Sequence, residues 1–326
     1  MRRMIALVVI VSALWGVYWF VAASGLKSAI NTQFSQLRTL GWSLEYDSLS
    51  VQGFPSRLDT RVQNLELTAP RNAFKWQAPF FQVFALSYRP NHVIAVWPNA
   101  FAVETTAGAY DVTHQDLRAS LRLEASTDLA LEQLVIVGQD LRFDSADVGQ
   151  ASVQATQLSV RPLPARPGYY ESALELDEIV PMASLAAQLG WASDTPLTIS
   201  RAFVNGEFRF DAPLDRTALT DGPLQLQEAT VTRAHLRIAD TVLNLSGELR
   251  ISRFAPPEGK VQLNATGWKA LLAQLDPAKL DTETLTKRLT AMVGEDEEIA
   301  LNLTLREGFI HFGPIPLIPA PDWRLP

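Results

Sequence analysis

The chain has 326 residues, 47% of them hydrophobic and 19% charged, with a formal net charge of -7. That is length for one large or two ordinary domains with ample apolar surface to bury, and an acidic balance without a local Lys/Arg cluster argues against nucleic acid as a partner. Cysteine is absent, which removes thiol catalysis, thiolate metal sites and Cys acylation, and a fold of this size does not need disulfides.

Met1-Arg2-Arg3-Met4 precedes Ile5 to Ala23, nineteen residues without a charge. At about 1.5 Å per residue this run covers about 28 Å, close to the hydrocarbon thickness of a bilayer. Trp15, Tyr18, Trp19 and Phe20 crowd its far end, where aromatic rings favour the membrane interface, and Arg2 and Arg3 hold the N-terminus in the cytoplasm. Residues 1–23 therefore read as a transmembrane anchor marked by Ile5, Trp15, Trp19 and Ala23. A cleaved secretory signal is the alternative, since Val21-Ala22-Ala23 offers small residues at a cut. Both readings export the remainder.

Residues 24–41 carry Leu26, Ile30, Phe34, Leu37 and Leu40 at spacings of three and four, an amphipathic helix continuing from the membrane until Gly41. From Trp42 the period changes to two. Leu44, Tyr46, Leu49 and Val51 lead to the break Gly53-Phe54-Pro55, and Leu58, Val62, Leu65 and Leu67 follow. Strands are expected at 80–88, 92–97, 100–105, 116–125, 130–137 and 148–160. In the second half they are expected at 202–211, 229–238, 241–251, 260–266 and 299–305. Short spacers favour antiparallel strands joined in sequence, because parallel crossovers need a dozen or more residues. Asn244, Asn264 and Asn302 begin Asn-x-Ser/Thr triplets, read as the polar side of three strands. Short helices are expected at 181–189, 267–275 and 281–293, the last with Asp281 as N-cap and Leu285, Leu289 and Met292 inward. Glu295-Asp296-Glu297-Glu298 reads as a solvated turn.

The fold class is thus mainly β, a long curved antiparallel sheet or two linked β halves, in a body spanning residues 42–313. A division is conceivable at the Pro-rich segment 161–168, and residues 314–326 form a Pro-rich tail. No His-Glu-x-x-His, Gly-x-Ser-x-Gly, phosphate loop or dinucleotide fingerprint occurs, and the four histidines are scattered. The expectation is a protein without catalytic residues, metal or cofactor. With about four helices for a dozen or so strands, some apolar strand face must meet another part of the sheet or a ligand. Val204, Phe208, Phe210, Leu243, Leu245, Leu301 and Leu303 are the candidates to line an apolar groove for acyl chains. Trp76, Phe80, Phe81, Phe84, Tyr88, Trp97 and Phe101 read as sheet core, or alternatively as part of such a groove.

Gly53-Phe54-Pro55-Ser56-Arg57-Leu58-Asp59, Tyr88-Arg89-Pro90-Asn91-His92 and Gly313-Pro314-Ile315-Pro316-Leu317 resemble a bacterial family known as domain of unknown function 2125, found chiefly in alphaproteobacteria. The segments 241–251 and 259–263, the Trp268 helix and Glu307 to Gly313 are also similar in style to AsmA-type envelope proteins. That resemblance implies a periplasmic body on one inner-membrane helix, and lipid movement along a β-groove. An envelope scaffold that binds protein partners through sheet edges is the competing expectation. If Ile5 to Ala23 is an anchor, the chain stays in the membrane pellet after alkaline carbonate washing; recovery of a soluble form beginning at Ser24 would show a cleaved signal instead.

Overall fold

The computed structural model describes residues 1–192, 196–218, 224–252, 255–279, 281–294 and 296–319. The side chains of Met292, Val293, Ile315, Leu317, Ile318 and Pro319 lie outside the described set, as do Glu295 and the end of the Pro-rich tail, 320–326.

Anchor and amphipathic segment form one helix, α1 (Arg2–Thr39), 38 residues long. No proline interrupts the run, and in an apolar surrounding a helix satisfies its backbone groups within the segment. It ends where Gly41 takes a φ of 87°, a conformation that side chains disfavour.

Among the described residues, eighteen strands follow in one sheet. They are β1 (Ser43–Glu45), β2 (Ser48–Gln52), β3 (Arg57–Thr68), β4 (Phe74–Leu86), β5 (Arg89–Val96) and β6 (Ala100–Thr105). Next come β7 (Gly108–Thr113), β8 (Asp116–Leu123), β9 (Leu131–Ser145), β10 (Gly149–Pro162), β11 (Tyr169–Val180) and β12 (Ile199–Phe210). The series closes with β13 (Leu226–Ile238), β14 (Thr241–Arg250), β15 (Glu258–Thr266), β16 (Glu298–Arg306), β17 (Phe309–Phe312) and β18 (Ile315–Pro319). Three short helices interrupt the second half: α2 (Ala183–Gln188), α3 (Trp268–Ala273) and α4 (Thr282–Val293). Asp281 caps α4 as expected, its Oδ1 accepting from the Thr284 N–H at 2.9 Å. Leu289 of α4 packs inward.

Every pairing is antiparallel and almost every strand pairs with its sequence neighbours. β1 and β2 share one side of β3. β5 and β6 share one side of β4, and β7 and β8 both pair with β9. From β9 to β18 the chain is an uninterrupted meander. Three rows therefore hold two strands each, and the sheet is about fifteen rows, or roughly 67 Å, across. Arg161 to Gly168 is the turn of the β10–β11 hairpin, whose ladder runs from Pro162 opposite Tyr170 to Ser152 opposite Val180. The sheet is continuous there. The residues after Gly313 begin as an edge strand, with Ile315 opposite Phe312.

A crease crosses this sheet. Asn64, Asp140 and Glu178 sit mid-strand with φ of 48°, 49° and 46°. Each such residue lets the side-chain alternation slip by one, so that Val62 and Leu65, or Gly138 and Leu141, point to the same side. The positions lie on one line: Asn64 opposite Pro79, the β5–β6 and β7–β8 interruptions, then Asp140, Gln154 and Glu178 in adjacent rows. Asn64 Nδ2 also bonds Asp47 Oδ2 at 2.5 Å, in the gap between β1 and β2. This explains why β9 runs eight residues past the stretch 130–137: strict period-two counting stops at the slip. A left-handed residue costs L side chains about 1–2 kcal/mol, so Asp140→Val should lower stability by about that amount while Asp140→Gly stays near neutral. Paired urea denaturation curves check both.

Candidate functional site

The register divides the sheet into two unlike faces. One carries Leu134 and Ile136 on β9, Leu158 and Val160 on β10, and Leu174 and Leu176 on β11. It continues with Ala202 and Val204 on β12, Ala234 and Leu236 on β13, Leu243 and Leu245 on β14, and Leu263 on β15. Its aromatic rings touch along and across the crease: Trp76 meets Phe81 across it at 5.3 Å and Phe101 on its own side at 6.4 Å, and Phe81 meets Trp97 at 5.3 Å.

The opposite face carries ions. Arg161 pairs with Glu171 at 2.5 Å and Arg209 with Glu228 at 2.7 Å; Arg201 pairs with Glu175 and Arg166 with Glu207. The Tyr169 hydroxyl donates to Glu228 at 2.5 Å and, with Arg209 nearby, holds that carboxyl below its ordinary range. Exposed pairs of this kind add little stability, but they mark a water-facing surface. Asn244, Asn264 and Asn302 lie on this side, as the polar positions of three strands should.

The short α2 sits beside β10, its Ser184 hydroxyl donating to Val148 O at 3.4 Å. Among the described residues the helix-packed core clusters of the apolar face lie at its two ends. At the first, Ile30, Phe34 and Leu37 of α1 pack against Leu44, Leu49, Val62 and Leu65, and Trp19 and Ala23 against Leu58. At the other, Trp268 and Leu272 of α3 and Leu289 of α4 pack with Ala265, Ile299 and Leu301. Two loops bridge between. Leu214 O accepts from the Leu131 N–H at 2.8 Å and the Arg216 N–H donates to Asp128 O at 3.1 Å, spanning from the end of β12 to the start of β9. On the other rim, the Ala192 N–H donates to Gln274 O at 3.0 Å and the Asp276 N–H to Gly190 O at 2.7 Å.

Between these covers most apolar side chains are half-buried, with Val112, Ala119, Leu141, Tyr170 and Ala229 buried among them. The accessible surface is 20333 Å² for 36.0 kDa, against about 13,300 Å² for a compact globule of that mass. The bare part of α1 and the uncovered sheet both contribute. Among the described residues the most enclosed side chain is a serine, Ser87, at 1% exposure. A continuous apolar surface of this size is rare without an occupant.

The groove candidates divide. Val204, Phe208, Phe210 and Leu245 lie half-buried on the apolar face, Phe208 opposite Tyr170 and Ala229. Leu301 belongs to the packed cluster under Trp268, with Leu243 and Leu303 against it, so these three form part of the end cover. Of the aromatic segment, Trp76, Phe81, Trp97 and Phe101 share the apolar face. Phe80 and Phe84 lie on the other side beneath Arg61 and Arg57, and Tyr88 sits in the β4–β5 turn. Periodicity had passed over β11, although Leu174 and Leu176 alternate with Glu175 and Asp177 in the sequence. Among the described residues no three His, Asp or Glu side chains are placed to hold a metal ion. Asp296 and Glu297 are solvent-exposed, as a solvated turn would be, and Glu298, also exposed, opens β16 opposite Thr266.

α1 is long and apolar enough to cross a membrane, with a mean hydropathy of 2.3 over its most apolar stretch. No curated protein and no solved structure matches the chain. Residues 19–321 match the bacterial family described as uncharacterized protein conserved in bacteria, domain of unknown function 2125, and the chain belongs to that family.

Proposed function

We propose that this is a single-pass inner-membrane protein whose periplasmic body binds or transfers lipid acyl chains along the apolar face of its sheet, with no catalytic centre or cofactor. The observation that carries this reading is the apolar face of β9 to β13, where no helix-packed core cluster lies among the described residues, beside a helix of membrane-crossing length. Acyl chains are the apolar guests at hand there, and a trough bridged by loops at its rims holds a flexible chain without enclosing it. The similarity in style to AsmA-type proteins points the same way.

Scaffolding through a sheet edge is the second reading, and it has less support. The outer strand β18 carries Pro316 and Pro319, which lack the N–H groups that an added strand would need.

Mass spectrometry of organic extracts from the purified full chain should find co-purifying phospholipid or fatty acid. Phe208→Asp should keep the wild-type melting temperature, because Phe208 is only half-buried and water reaches it, and should lose most binding of a fluorescent fatty acid. Unfolding by Phe208→Asp, together with no lipid bound to wild type, would mean a closed dry core; a buried unpaired charge costs several kcal/mol.

A further inference from the structure

The sheet reaches the anchor at an unexpected depth. Trp15 Nε1 donates to Pro55 O at 2.9 Å, the Tyr18 hydroxyl to Ser87 O at 2.8 Å, and Trp19 Nε1 to Arg57 O at 2.7 Å. Phe20 stacks on Phe54 with ring centroids 5.8 Å apart. The tips of the β2–β3 and β4–β5 hairpins therefore clasp α1 from Trp15 onward. Only Ile5 to Leu14 remain as an uncharged stretch free of the body, and ten helical residues cover about 15 Å. A bilayer's hydrocarbon is about 30 Å thick. With Arg2 and Arg3 at one headgroup layer, the hydrocarbon must continue past Trp15 toward Ala23. The helix surface there fits: Val17, Phe20 and Val21 are exposed and apolar, and the next charge after Arg3 is Lys27.

We propose that the hairpin tips Gly53–Ser56 and Ser87–Tyr88 are submerged in the outward leaflet beside α1. Their surface suits lipid: Phe54 is 54% exposed, Tyr88 58% and Leu86 37%. Their polar groups suit it as well. Hydrocarbon tolerates only backbone whose donors and acceptors are paired within the protein. Turn carbonyls that strand pairing leaves free, Pro55 O and Ser87 O, receive the indole and phenol donors of α1. The Arg57 N–H reaches Gly53 O at 2.9 Å and the Ser87 N–H reaches Ser56 O at 2.9 Å. Arg57 and Arg89, both exposed, flank the tips with long side chains able to extend toward phosphates. This rests on the anchor being retained and not on lipid carriage; if lipid is carried, the submerged tips are where it enters.

The native chain has no cysteine, so single substitutions label cleanly. Phe54→Cys, Tyr88→Cys and, as a control, Leu40→Cys carry an environment-sensitive fluorophore in the full chain. Each is reconstituted into phosphatidylethanolamine–phosphatidylglycerol vesicles doped with doxyl-labelled phosphatidylcholine. Leu40 lies on the same helix about 37 Å beyond Trp15. Labels at 54 and 88 should emit at shorter wavelength than the label at 40 and be quenched severalfold more. Tyr88 makes no ring contact of the kind that holds Phe54, so its variant keeps the test sound if Phe54→Cys misfolds. Quenching at 88 no greater than at 40 overturns the proposal. Strong quenching at 88 without any co-purifying lipid upholds it while removing the lipid-carrier reading.

Discussion

The meander satisfies the backbone of this protein almost by itself. Each strand from β3 to β17 has an antiparallel neighbour on both sides, so the polar ladder is complete without a second layer. The apolar side chains gain no such completion. An antiparallel sheet ordinarily buries one face under helices or a partner sheet, and here, among the described residues, the helix-packed clusters form at the two ends. Everything distinctive in the molecule follows from that imbalance: the large accessible surface, the half-buried core, and the sharp division between a hydrocarbon face and an ionic one.

The crease shapes that surface. A slip in alternation bends a strand and increases its twist, and slips aligned over successive rows bend the whole sheet along one line. Trp76 and Phe81 flank the line and still touch, which places the apolar face on the inside of the bend. Without the slips, residues beyond Asn64 or Asp140 would send their apolar side chains to the charged face, and the trough would end at the crease.

Much of this was legible in the sequence, and the parts that were not share a cause. Ile299, Leu301, Leu303 and Leu305 alternate without error and mark β16 within a residue. The turn at Gly53 and the helices of the second half follow from turn and cap chemistry. What periodicity loses is the strand that changes phase, since β9 reads as ending near Val137, and the short strand β7, for which 108–113 gives no expectation. The separate strands expected at 92–97 and 100–105 are found as β5 and β6. The groove candidates show a second limit. Alternation identifies which side of β14 or β16 is apolar, but not that α3 and α4, packing through Trp268 and Leu289, cover Leu301 and its neighbours while leaving Val204 open. Coverage is a property of where a distant helix lands.

The two ends of the sheet are closed by different means. At the first row, α1 lies across β1 and β2 and occupies the apolar face with Ile30, Phe34 and Leu37. At the last, the chain closes with Ile315-Pro316-Leu317-Ile318-Pro319, whose prolines deprive the outer edge of donors. A sheet this wide would otherwise add strands from other copies, since open ladders are templates for pairing. Blocking the edge while leaving the face open separates two kinds of contact that an exposed sheet usually offers together. Backbone pairing, which would favour any extended peptide, is suppressed. Side-chain contact on the apolar face is retained.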